Sequence, residues 1–161
     1  MFGFGKKTTN DNQIYAPITG EVVKLETVSD PVFAKKMMGD GFGVIPNTSE
    51  VTVNAPVAGE IILAQGHAVG IKRHDGLEIL IHLGIDTVSL NGEPFELKIK
   101  PGKLVRGGDP LVDVDWHKIK TANLDNTILV LVTNTKDALA SLNINYGACQ
   151  SGEILGKATA K

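Results

Sequence analysis

The sequence predicts an all-β protein: antiparallel strands closed into a β-sandwich or barrel, with few short helices. Three observations carry that prediction. Turn-forming residues recur at short intervals, among them Gly39-Asp40-Gly41, Pro46-Asn47, Asp75-Gly76, Asn91-Gly92, Pro101-Gly102 and Gly107-Gly108. The stretches between them are rich in Val, Ile and Thr, side chains that suit a pleated, half-buried surface. The third is an internal echo. Ala16-Pro17-Ile18-Thr19-Gly20-Glu21-Val22-Val23 is matched by Ala55-Pro56-Val57-Ala58-Gly59-Glu60-Ile61-Ile62, and each copy is followed by an Asp-Gly pair, Asp40-Gly41 and Asp75-Gly76. Two related β units packed together limit exposed strand edges.

Element by element, residues 1–12 read as a flexible tail and residues 13–161 as one domain. A short helix is expected over 30–38, with Asp30 as its N-cap and Pro31 at the first helical position. A hairpin is expected where 67–73 and 77–83 flank Asp75-Gly76. Its second strand alternates. Leu77, Ile79, Ile81, Leu83 and Ile85 fall on one face, which must be core; Glu78, Leu80, His82, Gly84 and Asp86 fall on the other. Antiparallel pairing sets residues near 67 opposite residues somewhat beyond 82, so His67 and His82 become neighbours on the exposed face. Asn91-Gly92 is a second tight-hairpin candidate, and 101–112 reads as a further hairpin with a glycine-rich turn. Short helices are expected over 115–122 and 135–142.

Composition narrows the function classes. The 161 residues are 42% apolar and 21% charged, the balance of an ordinary globular domain rather than a disordered chain. Sixteen basic and 18 acidic side chains give a net charge of −2, which excludes a broad electrostatic footprint for nucleic acid but not a local patch that docks a protein. A single cysteine, Cys149, excludes an internal disulfide; it reads as a small buried apolar residue in a reducing compartment. No apolar run is long enough for a membrane helix and no secretory signal opens the chain, so a cytoplasmic protein without membrane insertion is expected.

The chemistry gathers around His67 and His82. His82 stands between Leu80 and Gly84, with a carboxylate two steps on at Asp86, a setting that lets a partner approach the backbone closely. His74, in the turn, and His117, beside Trp116, read as unspecialised. Asp86 has a plain alternative as a turn cap, and Phe33 is either core or an aromatic anchor. Three chemistries compete for the histidine pair. Phosphoryl acceptance needs one ring nitrogen free and the other held by a hydrogen bond. Zinc hydrolysis would use two histidines and a carboxylate. A carrier domain would need a modified lysine, for which only Lys35-Lys36 offers itself.

The residues resemble the glucose-type enzyme IIA family of the bacterial phosphoenolpyruvate-dependent sugar phosphotransferase system. The resemblance is carried by Ala16-Pro17-x-x-Gly20-Glu21, by residues 30–41, by Ala55-Pro56-Val57-x-Gly59, by His67-Ala68, and above all by Ile81-His82-Leu83-Gly84-Ile85-Asp86-Thr87-Val88-x-Leu90-x-Gly92. It implies the family's duplicated antiparallel β-sandwich. It implies that His82 accepts the phosphoryl group on Nε2 from phosphorylated HPr and passes it to the cysteine of the IIB domain of a IICB sugar permease. It implies that His67 supports the phosphoryl group in the transition state, that Asp30 and Asp86 face cations on the partners, and that Val32, Phe33, Leu63, Gln65 and Leu80 belong to the docking rim. No cofactor is required; zinc is expected at His67 and His82 only opportunistically.

Leu63 and Leu80 stand where enterobacterial members place Phe, and Gln65 where they place Thr, so the chain looks more like members from Gram-positive bacteria. The fold also resembles lysostaphin-type zinc endopeptidases, but their His-x-His pair does not occur here. The carrier-lysine pattern fails as well, because the two lysines precede two methionines in an expected helix. A binding module that docks partners without turnover remains the other reading.

Overall fold

The computed structural model describes residues 9–161. In chain order their strands are β1 (Gln13–Tyr15), β2 (Gly20–Lys24), β3 (Asp40–Pro46), β4 (Thr52–Asn54), β5 (Gly59–Gln65), β6 (Ala68–Lys72), β7 (Glu78–Leu83), β8 (Phe95–Leu97), β9 (Leu104–Val105), β10 (Pro110–Val114), β11 (Ile128–Val132), β12 (Leu139–Ile144), β13 (Gly147–Cys149) and β14 (Ile154–Ala160). The helices are short: α1 (Pro31–Ala34), α2 (Trp116–Thr121) and α3 (Thr135–Ala138), with 3-10 turns at Leu25–Thr27 and Thr87–Leu90. No helix among the described residues is long and apolar enough to cross a membrane.

The strands pair antiparallel in three sheets: one of eight strands, β13-β2-β3-β11-β7-β6-β5-β9, and two of three, β1-β14-β12 and β4-β10-β8. The two small sheets pack on the inner face of the large one. One continuous core joins Ile14 and Leu155, Val53 and Leu111, and Val44, Val69, Ile81 and Val130. The sandwich expected from turn spacing is therefore the observed architecture.

The Ala-Pro-x-x-Gly-Glu echo is a structural duplication, but the two Asp-Gly pairs are not equivalent: Asp40-Gly41 opens β3, whereas Asp75-Gly76 turns β6 into β7. Gly20 opens β2 and Gly59 opens β5. The two copies grip each other through matched bonds: Tyr15 N–H donates to the Pro56 carbonyl at 2.8 Å, and Asn54 N–H to the Pro17 carbonyl at 2.7 Å. The large sheet reads alike from either edge, with the two units meeting where β11 pairs β7.

What differs between the copies creates the site. In the first unit, β2 and β3 are joined by residues 25–39, which fold over the outer face of the sheet. Leu25 and Phe33 from this cover bury against Leu129 and Leu131 of β11 and against Ile85, forming a second, smaller core. That is why all five residues of β11 are buried: alternate side chains serve the two cores. In the second unit, β5 and β6 are joined only by Gly66 and His67. The outer face of β5, β6 and β7 has no equivalent cover, and His82 sits on it, where cover and open face meet.

A bulge sets which side chains share that face. Ile61 pairs with Ile71 but Leu63 with Gly70, so Ile62 and Leu63 together oppose one residue. Strict alternation from buried Ile61 would turn Leu63 and Gln65 inward. The bulge resets the phase instead, and both join His82 outside. The register gives two outer rows, Gln65-Ala68-His82-Leu129 and Leu63-Gly70-Leu80-Leu131.

Four local expectations are corrected. The alternation of the 77–86 stretch stops at Leu83, because Gly84 (φ +85°) and Asp86 (φ +64°) take left-handed conformations; Ile85 is buried, but in the second core. Asn91 (φ +55°) and Gly92 (φ +78°) have the backbone of a tight turn but follow a 3-10 turn, and β8 pairs with β10 rather than β7. Residues 101–112 form no hairpin: β9 pairs with β5, while the Gly107-Gly108 turn brings Gly108 N–H and the Asp109 carbonyl to Ala55. The expected 135–142 helix ends at Ala138, because β12 completes the sheet with β14 from Leu139 onward. The helices at 30–38 and 115–122 are present as short α1 and α2, with the Asp30 and Asp115 carboxylates accepting from Val32 N–H (2.8 Å) and Lys118 N–H (3.3 Å) as N-caps. Residues 1–8 of the expected tail lie outside the described residues. Asn12 is held by Ala158 N–H (3.1 Å) on its carbonyl and by His74 Nε2–H (2.8 Å) on its side-chain oxygen.

Candidate functional site

Strand β7 projects His82 outward because Ile81 and Leu83 commit its other face to the main core. Across the hairpin, Ala68 pairs with His82 and Leu83 N–H donates to the His67 carbonyl at 2.8 Å. This register sets the two imidazoles edge to face, 5.3 Å between centroids. The tight Gly66-His67 turn that allows it needs a glycine: a side chain at Gly66 would meet the Gly92 backbone at 2.7 Å. On the other side the Phe33 ring lies 5.3 Å from His82, tilted by 53°. Phe33 is only 9% exposed, so it is a wall of the site rather than an exposed anchor, while its neighbour Val32 is 42% exposed.

The ring orientation of His82 is fixed from below. Its Nδ1–H donates to the Gly84 carbonyl at 2.5 Å, which leaves the Nε2 lone pair free on the open face. Gly84 must be glycine, since its φ is +85° and a side chain there would meet Thr87 Cγ2 at 2.6 Å. Thr87, fully buried, ties the turn by donating its hydroxyl to the Leu83 carbonyl at 2.6 Å.

Electrostatics keep both histidines neutral near pH 7. Burial lowers the pKa of His82, partly offset by the Gly84 hydrogen bond and by the charges of Asp30 and Asp86. Burial, and then the charge His82 can carry, lower that of His67. The ring environment thus favours a neutral nucleophile while retaining groups that would welcome positive charge on it.

The structure brings together His67, His82, Phe33, Leu63, Gln65 and Leu80 at one face, with Asp30 and Asp86 near enough to act on His82. Leu63 and Leu80 are half-buried and Gln65 is exposed. Asp86 does not play its plain role: it precedes the 3-10 turn, but its carboxylate makes no capping bond. Asp30 both caps α1 and faces the ring. His74 and His117 stand elsewhere, His117 on a recess of about 720 Å3 with Thr48, Trp116 and Lys120 that does not include the histidine pair. The pair itself lies half-buried at the surface. Among the described residues, no three His, Cys, Asp or Glu side chains are grouped to hold a metal ion.

Sequence reasoning required a hydrogen-bond partner for one nitrogen of His82 without naming it. The partner is the carbonyl of Gly84, and the signal was a glycine two residues after the histidine. It also passed over Asp125, whose Asp-x-Thr spacing to Thr127 is a turn signature.

Comparison with known proteins gives consistent results. The family described as phosphoenolpyruvate-dependent sugar phosphotransferase system, EIIA 1, matches residues 12–138. The chain is 46% identical over 146 residues to the PTS system glucose-specific EIIA component of Staphylococcus aureus (strain COL), covering 89% of this chain and 86% of that protein. It is 41% identical over 146 residues, with the same coverage of 89% and 86%, to the protein of that name from Staphylococcus epidermidis (strain ATCC 12228). Among solved structures, the glucose permease IIA from Mycoplasma capricolum superposes with a TM-score of 0.79 at 34% identity, covering 91% of this chain and 96% of that one.

Proposed function

The chain belongs to the EIIA 1 family of the phosphoenolpyruvate-dependent sugar phosphotransferase system and is a phosphocarrier of that system; we propose that His82 is the residue that carries the phosphoryl group. One observation carries the assignment: the His82 Nδ1–H is occupied by the Gly84 carbonyl, so its nucleophilic nitrogen, Nε2, is presented on an uncovered face beside His67.

The donor is a phosphohistidine of HPr. The Nε2 lone pair of His82 attacks phosphorus in line. An Nε2–P bond forms, the donor's N–P bond breaks, and its electron pair returns to the donor ring. The Nδ1 proton of His82 stays in place. The phosphorylated ring therefore gains positive character, which the Gly84 carbonyl and the Asp30 and Asp86 charges stabilise. His67 donates a hydrogen bond to the phosphoryl oxygens. The next acceptor is the cysteine thiolate of a IIB domain, which forms an S–P bond as the Nε2–P bond breaks. Each step exchanges one bond to phosphorus for another and calls for no cofactor. Val32, Leu63, Leu80 and Gln65 line the dock, with Asp30 and Asp86 meeting cations of both partners. One dock serving two partners must bind each weakly enough to release it. The staphylococcal relatives are named glucose-specific, which supports a permease of the glucose family as the destination. The carrier would work in the cytoplasm, in passing contact with that permease.

Incubation with phosphoenolpyruvate, enzyme I and HPr, followed by intact mass, tests the assignment. The wild type is expected to gain one acid-labile phosphoryl group and His82→Ala none. In the same assay His67→Gln is expected to accept the group but pass it to a IIB domain poorly. Phosphorylation of His82→Ala would move the acceptor elsewhere, and a folded wild type that takes none would leave a docking module without turnover.

A further inference from the structure

We propose that Asp125 is a positioning residue for phosphoryl transfer, holding both the partner of His82 Nδ1 and the segment that carries Asp30. The inference rests on the reading of His82 as acceptor. Asp125 lies half-buried in the loop before β11. Its Oδ1 accepts from Thr127 N–H (2.9 Å) and from the Thr127 hydroxyl (2.7 Å), closing a tight Asp-x-Thr turn. Its Oδ2 accepts from the Ser29 hydroxyl at 2.8 Å, across 96 residues of chain.

The backbone of the same turn grips the site. The Asp125 carbonyl accepts Ile85 N–H at 2.9 Å, and the Thr127 carbonyl accepts Gly84 N–H at 3.1 Å. Gly84 presents the carbonyl that takes the His82 Nδ1 proton, and Ser29 immediately precedes Asp30, the cap of the helix that carries Phe33. The tautomer of His82 and the charge and ring beside it thus hang from one carboxylate. Three donors converge on it. Although burial alone would raise the pKa of Asp125, the two Thr127 bonds and the Ser29 bond bring it below the ordinary carboxylate value, so it stays an acceptor-only anion at neutral pH.

The mechanism separates the variants. Asp125→Ala removes all three bonds. Asp125→Asn keeps an oxygen for Thr127 and offers Ser29 an N–H, which its hydroxyl can accept. Glu50→Ala is the control for a merely structural tie, because Glu50 joins Thr19 by a comparable pair of bonds (2.8 and 3.3 Å) that touch neither Gly84 nor Asp30.

The experiment records imidazole 15N NMR shifts of histidine-labelled protein at neutral pH and the rate of phosphoryl acceptance from phosphorylated HPr. Wild-type His82 is expected as the Nδ1–H tautomer alone. In Asp125→Ala both tautomers are expected, with acceptance slowed roughly ten- to a hundredfold. Asp125→Asn is expected to restore the wild-type shifts and most of the rate. Glu50→Ala is expected to lower the melting temperature without moving the His82 shifts. A folded Asp125→Ala with wild-type shifts and rate overturns the proposal, and so does a Glu50→Ala that moves them as far. Should Asp125→Ala not fold, Thr127→Val removes one bond at nearly constant shape. It is expected to move the same shifts in the same direction, and unchanged shifts overturn the proposal. A wild type that takes no phosphoryl group on His82 refutes the acceptor reading, while the tautomer measurement still decides the role of Asp125.

Discussion

Two opposing influences set the chemistry at His82. Removal from water disfavours its protonated form; the Gly84 carbonyl and the carboxylates of Asp30 and Asp86 favour it. Burial wins, and the pKa falls below the ordinary 6.5. His67 shifts the same way. The sign for stability follows. Well above pH 6.5 both rings are neutral in either state and cost nothing. As the pH falls below that value, the unfolded chain takes up protons first, so stability declines through the window down to the folded pKa values. Thermal unfolding between pH 7 and pH 5 is expected to show this decline, flattened when both rings are replaced by Gln. For transfer, the shift keeps the Nε2 lone pair available at more acid pH than a free imidazole would. The histidine pair was legible in the sequence because period-two alternation and the Asp75-Gly76 turn place both rings on one face. The partner of Nδ1 was not, because a backbone carbonyl leaves no side-chain signature.

At the scale of elements, the connection after β7 does as much as the strand. Gly84 turns the chain with φ +85° so that its own carbonyl meets the histidine two residues earlier. Gly84→Ala forces a side chain into a left-handed position, 2.6 Å from Thr87 Cγ2 and 3.0 Å from the Asp125 carbonyl oxygen. A loss of about 1–3 kcal/mol of stability is expected, together with slower phosphoryl acceptance, read by chemical denaturation and by initial rates. Unchanged acceptance in a folded variant would separate the carbonyl from the mechanism. The Ile62 bulge shows what sequence periodicity misses. It inserts one residue without a compositional mark, yet decides that Leu63 and Gln65 face outward. The 139–142 stretch was lost for a similar reason: pairing with β14 overrode a local pattern that reads as helix.

The whole molecule is two copies of one β unit made unequal by their connections. The copies were legible, since the Ala-Pro-x-x-Gly-Glu frame survives in both. The inequality of their connections was not legible, and the burial of Phe33 and Leu25 over β11 emerged with the tertiary structure. A buried arginine fastens the parts away from the site. The Arg73 side chain is fully buried, pairs with Asp75 (Nη2 to Oδ2 2.5 Å, Nε to Oδ1 3.1 Å), and donates to the carbonyls of Ala158 (2.9 Å) and Asn12 (3.4 Å). It thereby links the β6–β7 turn, β14 and the lead into β1. Arg73→Ala leaves the Asp75 carboxylate without its counter-charge, and a cost of about 3–5 kcal/mol is expected in urea unfolding. Phosphoryl acceptance by the folded fraction should persist. A loss below about 1 kcal/mol would mean that water replaces the guanidinium at little cost.

The position of the phosphoryl group on the ring tests the central claim most directly. Two-dimensional 1H–15N NMR of histidine-labelled protein, phosphorylated through HPr, reads which nitrogen of His82 bears phosphorus. The account predicts phosphorus on Nε2, with the Nδ1 proton still present and still bonded to the Gly84 carbonyl. Phosphorus on Nδ1, or on any residue other than His82, would contradict it.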